Sequence, residues 1–169
     1  MEKKPTSSIV AGLLITLVII AYGLVLYFAN QYTNSGLQWI GTGIYAIALI
    51  LAILNNGKEN NHKVTFGNLF AFGFKTVAVI TCLMILYTLL QGVVLPDIKT
   101  RAMEMAREQA AANPNPNATP EQMEQGFKWF EDHYTFVTLA IILFGFLISG
   151  VIASLIGAAV AKKVPKDPF

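Results

Sequence analysis

The sequence predicts an all-α fold: an integral membrane four-helix bundle with a helical hairpin between the third and fourth spans. Three observations carry this. Hydrophobic residues make up 54% of the 169 and charged residues only 13%, against about a quarter charged in an ordinary soluble domain. The apolar residues fall into four runs nearly free of charge, Ile9 to Phe28, Leu37 to Leu54, Thr76 to Leu95 and Phe136 to Ala161. The long polar segment 96–135 carries helix signals of its own. A spanning helix needs about 20 apolar residues, because the hydrocarbon core is ~30 Å thick and a helix rises ~1.5 Å per residue. Four such spans leave little chain for a separate soluble part, so residues 1–169 read as one membrane domain, with spans near 9–28, 37–54, 70–95 and 136–161 and the hairpin at 96–135.

The first run follows Lys3 and Lys4, as the apolar core of a signal peptide would. It is longer than the 7–15 residues typical of that core, and "VLYFANQY" after it offers no small-x-small cleavage site. It reads as a retained span. The second run is 18 residues, short but adequate, with Trp39 at its edge. The third is preceded by "FGNLFAFGFK". Thr65 and Asn68 are both candidate N-caps there. Phe66, Phe70 and Phe74 recur every four residues and share one helix face, as interfacial anchors would. Residues 66–74 are expected to lie along the membrane interface. Lys75 is expected at its edge, with its stem in lipid and its ammonium among headgroups. The fourth run, "GFLISGVIASLIGAAVA", spaces small residues four apart. Gly145 with Ser149, Gly150 with Ser154, and Gly157 form a packing seam of the kind that lets membrane helices approach closely. That seam serves either the bundle itself or a homodimer.

In the segment 96–135, "DIKTRAMEMAREQAAA" is rich in strong helix formers. "NPNPN" then breaks the helix, since each proline removes a donor and restrains the residue before it. "TPEQ" follows, with Thr119 at N-cap, Pro120 at N1 and Gln122 at N3 of a capping box. Met123, Phe127, Phe130 and Tyr134 lie on one stripe of the second arm. The stripe predicts either a packed cap or a docking surface.

Basic residues orient the chain. The N-terminus, the loop between spans two and three, and the C-terminus together carry Lys3, Lys4, Lys58, Lys63, Lys75, Lys162, Lys163 and Lys166 against three acids, a net of +5. The segment 96–135 has a net of −3. The positive-inside rule then predicts both termini in the cytoplasm. The basic pI of 8.7 is this asymmetry, and no nucleic-acid motif accompanies it.

The sequence has no metal-ligand spacing, no phosphate-binding glycine loop and no catalytic constellation, and it calls for no cofactor. Cys82 is a single mid-span cysteine, expected to be a buried packing residue rather than a reactive thiol. Asp, Glu, Arg and His are absent from the four runs, although proton relays and ion pathways usually need them. Thr42, Thr81, Thr88, Gln91, Thr138, Ser149 and Ser154 are expected to bond between helices.

"TFGNLFAFGFK", the "LPD" after the third span, the charged hairpin and the glycine-rich last span together resemble a family of small four-span bacterial membrane proteins of unknown function. The likeness runs from Ser8 to Lys163 and is most specific at Phe66, Gly67, Phe70, Gly73, Phe74 and Lys75. It implies four helices in the bacterial inner membrane, in a setting of envelope-glycan or lipid-linked glycosyltransferase functions. It implies no activity and brings no catalytic residues.

Two functions are therefore expected. One is a non-enzymatic structural or accessory component of the cell envelope, whose partners are the lipid bilayer and a membrane protein or a second copy. The other is a small lipid-handling or transport protein with an anionic-headgroup site at Lys75, helped by Lys63, Lys162 and Lys163.

Overall fold

The computed structural model describes residues 5–31, 34–95, 97–115 and 118–163. Lys3, Lys4 and Lys166 of the charge argument lie outside them. The described residues form six helices and no strand: α1 (Ser8–Phe28), α2 (Ser35–Glu59), α3 (Phe66–Val94), α4 (Ile98–Ala112), α5 (Pro120–Asp132) and α6 (Tyr134–Val160). Four of them, α1, α2, α3 and α6, are long and apolar enough to cross a membrane.

The helix starts follow their caps. Ser7 accepts from the Val10 amide and Asn34 from the Leu37 amide. Thr65 rather than Asn68 caps α3, since the Asn68 N–H donates to Thr65 Oγ1 at 3.2 Å. α2 runs past Leu54 through Asn55 and Asn56 to Glu59, because polar residues end an apolar run without ending a helix. α3 likewise begins at Phe66 and continues unbroken for 29 residues. The expected interfacial segment is thus the first third of a single long helix. Leu69 and Gly73 are buried in the same stripe as Thr76, Val77 and Ile80, so one face of this part of α3 is packed against the protein, while Phe66 and Phe74 stay exposed.

The chain divides into two compact units. The first comprises residues up to Met84 together with those from Phe144 onward, and so holds α1, α2, the beginning of α3 and the end of α6. Its core is Ile15, Tyr45, Leu49, Ile53, Leu69, Val77, Ile80, Ala153 and Ala158. Glycines bring its helices close. A Cβ on Gly12 would fall 2.7 Å from Val79, one on Gly73 2.6 Å from Ser154 Oγ, and one on Gly157 2.9 Å from Ile53. At Gly150 it would collide with the Tyr45 hydroxyl and with Val77. Lipid tails are as apolar as leucine, so close contact of this kind, not exclusion from water, holds such helices together.

The second unit, Ile85–Leu143, contains the hairpin of α4 and α5. The capping box is formed in full: Gln122 N–H donates to Thr119 Oγ1 at 3.2 Å, and Thr119 N–H donates to Gln122 Oε1 at 3.0 Å. Met123, Phe127, Phe130 and Tyr134 are all half-buried. Arg107 of α4 lies over the Phe127 ring, 5.1 Å from its centroid, and pairs with Glu124 at 3.1 Å. The aromatic stripe of α5 is therefore turned, in part, onto α4. α5 ends at Asp132 and α6 begins at Tyr134, with only His133 between.

Candidate functional site

The α2–α3 loop meets the end of α6. Asn61 and His62 take left-handed backbone angles, φ 52° and 58°, and the turn is closed by the His62 N–H donating to Gly57 O at 2.8 Å. The reversal carries the His62 ring to the end of α6, where Nδ1 meets the Lys162 carbonyl oxygen at 3.1 Å. A carbonyl can only accept, so Nδ1 carries the hydrogen. Next to this contact the Lys163 ammonium sits over the Phe66 ring, 5.4 Å from its centroid, within cation–π range. Phe66 opens a ladder of stacked rings. Its centroid is 6.3 Å from that of Phe70, which is 6.2 Å from that of Phe74.

Nearby, the N-terminal segment is clasped to the end of α2. The Glu59 carboxylate accepts from the Thr6 N–H at 2.6 Å, from Thr6 Oγ1 at 2.8 Å and from Asn55 Nδ2 at 2.9 Å. Asn56 Nδ2 donates to Thr6 O at 3.3 Å. The clasp fixes the entry of α1.

Of the four lysines proposed from sequence, Lys163 thus sets its ammonium over Phe66, Lys162 meets His62 through its backbone carbonyl, and Lys63 is the next residue after His62. All three are exposed. Lys75 stands apart. It is nine residues along α3 from Phe66, about 13 Å of helix. Gly73 and Val77, two residues to either side, are buried. Two residues turn a helix by about 200°, so Lys75 projects from the side of α3 opposite the core, and it is exposed.

The small residues of α6 also divide. Gly150, Ser154 and Gly157 are buried among α2 and α3. Gly145 has nothing within 4 Å of where a Cβ would be, and the Ser149 hydroxyl donates to the Gly145 carbonyl of its own helix.

Two expectations are corrected. Cys82 is exposed rather than buried, because its neighbour Thr81 takes the inward position and one residue turns the helix by about 100°. The span hydroxyls do not, as a rule, bond between helices. Thr16, Thr42, Thr76 and Ser149 donate to the carbonyl four residues back, while Thr81 Oγ1 and Ser154 Oγ are buried without a partner. Bonds that do link helices come from tyrosines: the Tyr45 hydroxyl of α2 donates to Phe146 O of α6 at 3.1 Å, and the Tyr22 hydroxyl of α1 donates to Leu37 O of α2 at 2.7 Å. Sequence reasoning passed over Tyr45, although a mid-span phenol needs a partner for its hydroxyl. It also passed over Gly12 and the packing role of Gly73.

Four apolar helices of spanning length define the class: this is a polytopic helical membrane protein. Residues 8–163 match a family described as "Protein of unknown function (DUF4199)", and the chain belongs to that family. No curated protein matches the chain, and no solved structure does.

Proposed function

We propose that the chain is a four-helix bundle of the bacterial inner membrane, a single membrane domain with both termini cytoplasmic, acting as a non-enzymatic structural or accessory component of the cell envelope. The observation that carries this reading is the tightness of helix contact at Gly12, Gly73, Gly150 and Gly157, where even a methyl group would collide with a neighbouring helix. An interior closed by glycine contacts suits a rigid scaffold better than a carrier, which must open a path between its helices. The orientation rests on the charge difference between the two sets of loops. Affinity purification in mild detergent, with identification of proteins and lipids, tests the role. Stoichiometric recovery of an envelope membrane protein is expected, and recovery of the chain alone would overturn it. A cytoplasm-dependent reporter should be active when fused after Lys163 and inactive at Asn115; the reverse pattern would overturn the orientation.

A second reading, a lipid-handling protein, draws support from the Lys163 ammonium over Phe66, with the exposed Lys162 beside it in sequence and the exposed Lys63 next to His62, which meets the Lys162 carbonyl. Its anionic-headgroup site is then at Lys63, Lys162 and Lys163, with Lys75 on another face. Native mass spectrometry with mixed neutral and anionic lipids tests it. Lys163→Gln should lower retention of anionic lipid about fivefold, the equivalent of about 1 kcal/mol for one basic residue at an anionic surface.

A further inference from the structure

α3 carries a second face that its own bundle does not use. Gly67, Ala71, Lys75, Ala78 and Cys82 follow one another at steps of four, four, three and four residues, and all five are exposed. That spacing keeps them on one side of a helix. Four of the five are small, and the fifth is a charge. Among the described residues none forms an ion pair or hydrogen bond with the Lys75 ammonium. α1, α3 and α6 contain no Asp or Glu, and the sole acid of α2 is its last residue, Glu59, which is held by Thr6 and Asn55. Nineteen residues of α3 lie beyond Lys75, about 28 Å, or roughly one hydrocarbon thickness. The ammonium thus starts from the edge of the apolar layer, where it reaches either the headgroups or a carboxylate on a neighbouring helix.

We infer that this face of α3 docks the membrane-spanning helix of a different protein, which presents an Asp or Glu to Lys75 at the same membrane boundary. The inference rests on the accessory role proposed above and names the chemistry of the partner. Small residues on both sides of Lys75 let a second helix backbone come close, so that a carboxylate on it can reach the ammonium. A second copy of the chain does not fit this face: a two-fold contact centred here would set Lys75 against Lys75.

The test uses the full chain in native membranes, with a photo-reactive amino acid at position 71 or 78 on the face and, separately, at position 128 on the hairpin. Illumination from 71 and 78 should yield an adduct with a membrane-spanning protein that has Asp or Glu at the boundary of a span. Lys75→Glu should lower the yield about tenfold, and reversing the partner's carboxylate to Lys should restore it. Lys75→Gln should also reduce the yield. Both variants should keep the thermal stability of the parent in detergent, because the side chain is outside the core; a stable variant that still crosslinks fully would overturn the inference. So would adducts from 71 and 78 with anionic phospholipid alone, which would make Lys75 a snorkelling residue, or with a second copy. A partner captured from position 128 but never from 71 or 78 would overturn this docking face and leave the accessory role standing. No protein adduct from any position would overturn both.

Discussion

Tyr45 of α2 donates its hydroxyl hydrogen to the Phe146 carbonyl of α6 at 3.1 Å, and the two rings meet edge to face with centroids 5.0 Å apart. Gly150, one turn further along α6, gives the phenol its room. Residues 101 positions apart in sequence are thus joined by one polar contact. Tyr45→Phe keeps the ring contact and removes the hydrogen bond. Hydrogen bonds between membrane helices average about 0.6 kcal/mol and reach about 1.7, so a fall in detergent stability of about 1 kcal/mol is expected. Tyr45→Ala also opens a cavity and should cost about 3–5 kcal/mol. Thermal unfolding of the purified protein separates the two, and equal loss in both variants would mean that the ring contributes nothing.

The glycines of α6 should behave in two groups. Gly150→Leu and Gly157→Leu force bulk against Tyr45, Val77 and Ile53. Overpacking of a core costs about 1–3 kcal/mol and more when backbone must shift, so both should lower Tm. Gly145→Ala meets nothing within 4 Å and should leave Tm unchanged or raise it slightly, as alanine is the better helix former. A fall in Tm for Gly145→Ala would reveal a contact on that face made by something other than this chain.

The clasp at the start of α1 should be visible locally. Glu59→Ala removes the acceptor of the Thr6 N–H and hydroxyl. Hydrogen bonds to charged groups are worth about 1.5–3 kcal/mol when sheltered. Glu59 is exposed, so solvent screening reduces that considerably, and a rise of a fewfold in amide exchange at Thr6 is expected, with little change in global Tm. Glu59→Gln keeps one acceptor oxygen and should fall between parent and alanine. Exchange measured by mass spectrometry on the N-terminal peptide checks this, and unchanged exchange in Glu59→Ala would show that Asn56 alone holds the segment.

Helix existence was legible in the sequence wherever periodicity or hydrophobic length set it: the four long helices and both arms of the hairpin follow from apolar runs, helix formers, prolines and the Thr119 cap. What escaped was the direction in which individual side chains point. Runs such as Thr76 to Leu95 are apolar all round, so no amphipathic stripe distinguishes the inward Thr81 from the outward Cys82. The same ambiguity left open which face of α3 Lys75 takes relative to Lys63, Lys162 and Lys163. Tyr45 and Gly150 lie on different helices, and their match in size is a property of packing that neither local pattern contains. Ends were obscured for another reason. Asn55 and Asn56 stop the hydrophobic run, but their backbone groups continue the helix to Glu59.

The tightest test of the interior is the pair Gly73 and Ser154. A Cβ on Gly73 would lie 2.6 Å from Ser154 Oγ, 2.9 Å from Ser154 Cβ and 2.7 Å from Ile53 Cδ1. Ser154 is fully buried, and its hydroxyl has no partner. Ser154→Ala therefore removes a polar group whose burial is unfavourable and breaks no hydrogen bond, so stability should hold or rise by up to about 1 kcal/mol. Gly73→Ala should lower stability by about 1–3 kcal/mol through overpacking. In the double variant the closest of the three collisions is gone, while those with Ser154 Cβ and Ile53 remain. The combined loss should be smaller than the sum of the single effects by at least about 0.5 kcal/mol, the coupling expected of residues in contact. Adding Ile53→Val, which removes the third colliding atom, should recover more, against its own cost of about 0.5–1.5 kcal/mol for the lost methyl group. Thermal unfolding of the four-member cycle in one detergent measures the coupling. Strict additivity of Gly73→Ala and Ser154→Ala would mean that α3 and α6 are further apart at this level than the glycine implies.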